Sequence, residues 1–142
     1  MTVRLHGRRG PLDRRRLRNR AVRLLRELGR PKAELSIALV DDAEIAELNA
    51  RYRGVEGATD VLSFSLLEGA HAERRGDLLG DVVVSLDTAA VQARRGRRSL
   101  DDEVLRLLIH GTLHLLGHDH EQSDDARRMR AEERRIWNAL HA

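Results

Sequence analysis

Cysteine is absent from this 142-residue chain. That excludes disulfides, thiolate metal sites and cysteine nucleophiles, and leaves histidines and carboxylates as the possible metal ligands. The absence fits a reducing compartment, so a cytoplasmic location is expected. Aromatic residues are almost missing. One Phe, one Tyr and one Trp leave no aromatic platform for stacking bases, and they leave Leu, Val, Ala and Ile to fill the core. No stretch approaches the roughly 18 to 20 apolar residues of a membrane span, and charges stand near the N-terminus where a signal peptide has its apolar segment. A soluble, unexported protein with no membrane partner is expected. Lysine is scarce as well: Lys32 is the only one among 26 basic residues, which face 23 acidic ones for a net charge of +3.

What is present points to one domain. The length suits a single hydrophobic core, and an apolar fraction of 41% can fill it. Val3 and Leu5 alternate as in a short strand. Pro11 is expected to open a helix with the stripe Leu17, Ala21, Leu24, Leu25 and Leu28, ended by Gly29 and Pro31. Leu35 to Val40 has strand character, and Asp41 with Glu44 resembles a capping box before a helix carrying Ile45 and Leu48. Val61 to Phe64 and Asp81 to Ser85 read as strands, the second central, with a loop over Gly69 to Gly76 between them. A helix is expected from Thr88 to Arg95, broken at Gly96. Ser99 and Asp102 then offer a cap for the run Val104 to Leu116, which is apolar nearly all round and so belongs to a buried helix. A last helix carries Ala126, Met129, Ile136, Trp137 and Leu140. The expected fold class is α+β, a mixed α/β layering of one small mixed sheet packed by helices.

The chemistry concentrates in His110-Gly-Thr-Leu-His114-Leu-Leu-Gly117-His118-Asp119-His120, which holds four of the seven histidines. His110 and His114 stand one turn apart on one helix face, where two imidazole nitrogens can reach one ion. Gly117 lies where a left-handed residue would end the helix and swing the chain back, so that His120 can supply a third nitrogen. Three neutral imidazoles leave a tetrahedral Zn²⁺ one open position, the arrangement of a catalytic rather than a structural site. His118 should point away from the first two, as a surface or supporting residue. Asp119 suits an orienting role, since ligand histidines usually give their second N–H to an oxygen. The same spacing occurs in metzincin proteases, but there the residue after the first His is the Glu that serves as general base. Here it is Gly111, which argues against a peptidase.

The segment HGTLHLLGHDH resembles the signature of the YbeY family of bacterial metal-dependent endoribonucleases. Three further blocks resemble that family: Asn49-Ala-Arg-Tyr52-Arg53-Gly54, Thr59-Asp-Val-Leu-Ser-Phe64, and Leu79-Gly80-Asp81 with Val82 to Ser85. Their order and spacing agree over nearly the whole chain beyond residue 35. Where the family usually has Pro before the Thr, this chain has Ala58.

The resemblance implies a mixed sheet with helices packed on it and a metal in a cleft. It implies one Zn²⁺ held by His110, His114 and His120, with Arg53 as the arginine used in RNA cleavage and His114 in the catalytic set. The implied activity is single-strand-specific cleavage in ribosomal RNA maturation, including the 3′ end of small-subunit RNA, and in ribosome quality control. Ribosomal RNA and the small subunit are then the partners. Of the basic clusters, Arg94, Arg95, Arg97 and Arg98 immediately precede the metal helix and are candidates for gripping the backbone. A non-catalytic ribosome assembly factor with a structural zinc, and a metallopeptidase-like hydrolase, are the rival readings.

Overall fold

Strand sequences with apolar residues at every second position bury one face, and strands apolar throughout bury both. In the computed structural model, which describes residues 3–8, 10–65, 78–118 and 122–142 (for residue 78 the main chain alone), the strands follow that rule. They are β1 (Val3–Gly7), β2 (Glu34–Val40), β3 (Val61–Ser65) and β4 (Leu78–Ser85), in the spatial order β1-β2-β4-β3. The first three in space run parallel, and the edge strand β3 is antiparallel to β4. This is the mixed sheet expected, with the Asp81 to Ser85 strand in the interior. The loop read over Gly69 to Gly76 lies outside the described residues.

Leu35, Ile37, Leu39, Val82 and Val84 face the larger core, where α1 (Arg14–Glu27), α4 (Leu100–Leu115) and α5 (Ser123–His141) contribute Leu24, Leu25, Leu105, Leu108, Met129 and Ile136. Val40, Leu62 and Val83 face the other way, toward Ile45 of α2 (Asp42–Arg53), with Ala38, Leu48 and Phe64 packed around them. The sheet therefore separates α2 from α4. This division positions the site.

Several boundaries differ from expectation for local reasons. The first helix starts at Arg14 rather than Pro11, because the Asp13 side chain accepts from the Arg16 N–H and sets the cap there. The third, α3 (Leu86–Gly96), starts two residues early because Ser85 caps Thr88. It runs through Gly96, and Arg97 takes the left-handed capping conformation at φ 55°. The capping box of Asp41 and Glu44 is formed in both directions.

Candidate metal centre

The helix that carries the histidines is built to start and stop sharply. Ser99 accepts from the Asp102 N–H at its start, with Asp101, Asp102 and Glu103 in the first turn opposite the helix dipole. At its end Gly117 is left-handed at φ 94°. The His118 N–H reaches back to the Leu113 carbonyl and the Gly117 N–H to that of His114, each at 3.0 Å. This six-to-one and five-to-two pair is a Schellman cap, and it turns the chain at the position expected from Gly117.

His110 and His114 stand together on the half-exposed side of α4, their ring centroids 4.7 Å apart and their planes at 72°. Their Nε2 atoms are 3.2 Å apart. Two nitrogens each about 2.0–2.1 Å from a tetrahedral zinc would stand about 3.3 Å apart, so the pair has the separation a shared zinc requires. The Nδ1 of His110 lies 3.5 Å from Oε1 of Glu133 on α5, while its Nε2 faces His114. Among the described residues no cluster of three or more His, Asp or Glu side chains is gathered as a metal site. The expected third ligand His120 and its neighbour Asp119 lie outside those residues.

Gly111 is a contact point rather than an empty position. A Cβ there would meet Cγ1 of Val82 at 2.8 Å, Oγ of Ser63 at 3.0 Å and Cγ2 of Val61 at 3.1 Å. The helix thus rests on β3 and β4 where a protease would carry its glutamate, and the close approach excludes that side chain. Ser63 also donates from its hydroxyl to the Gly111 carbonyl at 2.7 Å, tying edge strand to helix.

Ser63 links the histidines to Arg53. The last residue of α2, Arg53 precedes the left-handed cap Gly54 and reaches the edge of the sheet, where its guanidinium donates to the Ser63 main-chain carbonyl. Its Cζ stands 5.2 Å from the Phe64 ring centroid, a cation–π contact, and Tyr52 packs edge-on against the same ring at 5.6 Å. One strand residue therefore binds Arg53 through its backbone and the histidine helix through its side chain. Behind it, buried Asn49 donates to the Gly57 carbonyl and fixes the loop that follows Arg53.

The remaining candidates spread out. His118 is half-buried and lines a small recess with Leu116, Gly117, Asp125 and Arg128. The Arg135 hydrogen bond to Glu132 holds that carboxyl below its ordinary range, with a smaller contribution from His118. Arg94 and Arg95 are exposed in the last turn of α3, and Arg97 is its cap. Arg98 instead turns to Glu103, whose fully buried carboxylate it shares with Arg106. Glu133, Ser63 and Arg106 were not singled out by sequence. Period-two alternation from Leu62 and Phe64 could have placed Ser63 on the helix-facing side. Nothing local reveals Glu133, because its role depends on α5 packing against α4.

A sequence-family model described as Endoribonuclease YbeY matches residues 9–141. The chain belongs to the YbeY endoribonuclease family. A relative named Endoribonuclease YbeY from Anaeromyxobacter sp. (strain Fw109-5) is 53% identical over 141 residues, covering 98% of this chain and 72% of that protein. One from Geobacter sulfurreducens is 42% identical over 134 residues, covering 93% and 89%. The solution structure of a Thermotoga maritima protein superposes with a TM-score of 0.68 at 28% identity, over 97% of this chain and 88% of that one. The solved fold thus agrees with the α+β architecture. Among the described residues no helix is long and apolar enough to cross a membrane.

Proposed function

We propose that this chain is a zinc-dependent, single-strand-specific endoribonuclease acting in ribosomal RNA maturation, at the small-subunit 3′ end and in ribosome quality control, in the cytoplasm. Family membership supports the reaction class. The observation that carries the metal dependence is the 3.2 Å separation of the His110 and His114 Nε2 atoms on one helix face, joined through Ser63 to Arg53.

His110, His114 and His120 would hold one Zn²⁺ by neutral imidazoles, the donor set that suits this ion. When bound, zinc supplies Lewis acidity and a bound water with a pKa near about 7. The protein's own residues do the rest. Glu133 orients His110 by accepting from Nδ1–H, so that Nε2 presents its lone pair. Arg53 is anchored by one donated bond and by the Phe64 ring, and its remaining N–H groups are available to hold the oxygens of a scissile phosphate and offset charge growing there. Ser63 keeps that guanidinium and the histidine helix in fixed register. The Gly111 contact removes the residue a peptidase would use, which weighs against the protease reading.

The test is cleavage of labelled single-stranded ribosomal RNA by wild type and a folded His114→Ala variant, with bound zinc measured in the same samples. Loss of cleavage together with zinc supports the reading. Equal cleavage by both proteins refutes it, and zinc binding without any cleavage favours an assembly factor.

A further inference from the structure

We infer that the recess lined by Arg98, Arg106, Ile109, Glu133, Arg134 and Trp137, about 270 Å³ in volume, is a subsite for a nucleotide of single-stranded RNA next to the reacting phosphate. The inference rests on the ribonuclease reading above. Its position is continuous with the site. Arg106 precedes His110 by four residues and so stands on the same face of α4, one turn or about 5.4 Å away. Glu133 belongs to both, lining the recess and lying 3.5 Å from Nδ1 of His110.

The recess has two chemical halves. Three guanidinium groups supply the first, and two of them are already fixed. Arg106 donates through Nε to both oxygens of Glu103 at 2.7 and 3.0 Å and through Nη2 to Gln92. Arg98 donates through Nη2 to the same carboxylate. Because Glu103 is fully buried, its charge stands behind the two arginines, whose side chains remain 37% exposed. Guanidiniums held this way lose little further freedom on meeting an anion. Arg134 is exposed, and its side chain makes no hydrogen bond or ion pair among the described residues. The second half is Trp137, the only tryptophan of the chain, half-buried and supported by the His141 ring at 4.2 Å. A phosphate meets the first half and a base the second, the pairing that single-stranded nucleic acid offers. An acidic peptide would satisfy the arginines but would leave the indole without a partner. Scarcity of aromatics rules out a stacking platform along the chain, though not one base on one indole.

The lone tryptophan makes the test local. An unstructured eight-nucleotide RNA is titrated into the full chain while tryptophan emission, anisotropy of an end label, and cleavage are recorded. Saturable quenching with the same midpoint as the anisotropy is expected. Arg134→Ala should bind about three- to tenfold more weakly, with a slope of log affinity against log salt shallower by about 0.7. Arg26→Ala, an exposed arginine on α1, should change neither. Cleavage without any change in emission, or Arg134→Ala behaving as Arg26→Ala does, overturns the subsite and leaves the ribonuclease reading standing. Quenching by polyglutamate and not by RNA makes an acidic protein the occupant and also overturns it. A wild type that neither binds nor cleaves RNA overturns both.

Discussion

Gly111→Ala is the substitution for which helix propensity and tertiary packing predict opposite signs. In the interior of a helix, replacing Gly with Ala should stabilise by about 1 kcal/mol. Here the new Cβ would stand 2.8 Å from Val82 Cγ1 and 3.0 Å from Ser63 Oγ. Val82 is fully buried, stiff at its branched carbon and part of an interior strand, so it cannot swing aside. Overpacking of this kind costs about 1–3 kcal/mol, and stretching the Ser63 hydrogen bond to the Gly111 carbonyl adds about 0.5–1.5 kcal/mol. After the propensity gain, a net loss of roughly 0.5–3.5 kcal/mol remains, or about 2–12 °C in melting temperature at this length. Urea unfolding should show a lower midpoint at unchanged m. A variant more stable than wild type by about 1 kcal/mol would mean that α4 does not rest on β3 and β4 through Gly111, and would refute the packing argument.

Arg53→Ala should lower RNA cleavage by about 10²–10³ while leaving zinc content and melting temperature near wild type; an equal fall in zinc content would show that Arg53 acts on the histidine helix instead. Glu133→Ala should weaken zinc binding about 10-fold or more, measured by competition with a chelating dye, since it removes the oxygen partner of His110; unchanged affinity would deny that role. Hydrogen bonds from Ser85 and then Thr88, both 2.6 Å to the same oxygen, hold the Asp42 carboxyl below its ordinary range. A lowered folded-state pKa contributes stability above the unfolded value, and that stability is lost as pH falls from about 4 through the folded value. Asp42→Asn should therefore flatten the stability–pH curve in that acidic window, and an unaltered curve would contradict it.

Much of the fold was legible because its determinants are local. Alternation in Leu35, Ile37 and Leu39 marked β2, the Asp41 and Glu44 pair marked the start of α2, and Gly117 marked the turn after the histidines. The four-residue spacing of His110 and His114 likewise implied the adjacency of their nitrogens. The boundaries that differed were set by local capping: the Asp13 side chain rather than Pro11 starts α1, and the left-handed backbone of Arg97 rather than Gly96 ends α3. What could not be read was tertiary. Arg98 belongs to a run of exposed arginines by sequence, yet a buried carboxylate five residues on fixes its guanidinium. Ser63 and Glu133 matter only because β3 lies under α4 and α5 lies beside it.

One zinc on this histidine helix should enable RNA cleavage. Zinc should be titrated into chelator-treated protein while cleavage of single-stranded ribosomal RNA is followed. Activity should rise linearly and break at one zinc per chain, with no break for His110→Ala. Cleavage that is already complete in the metal-free protein, or zinc that raises the melting temperature without any cleavage, would contradict it.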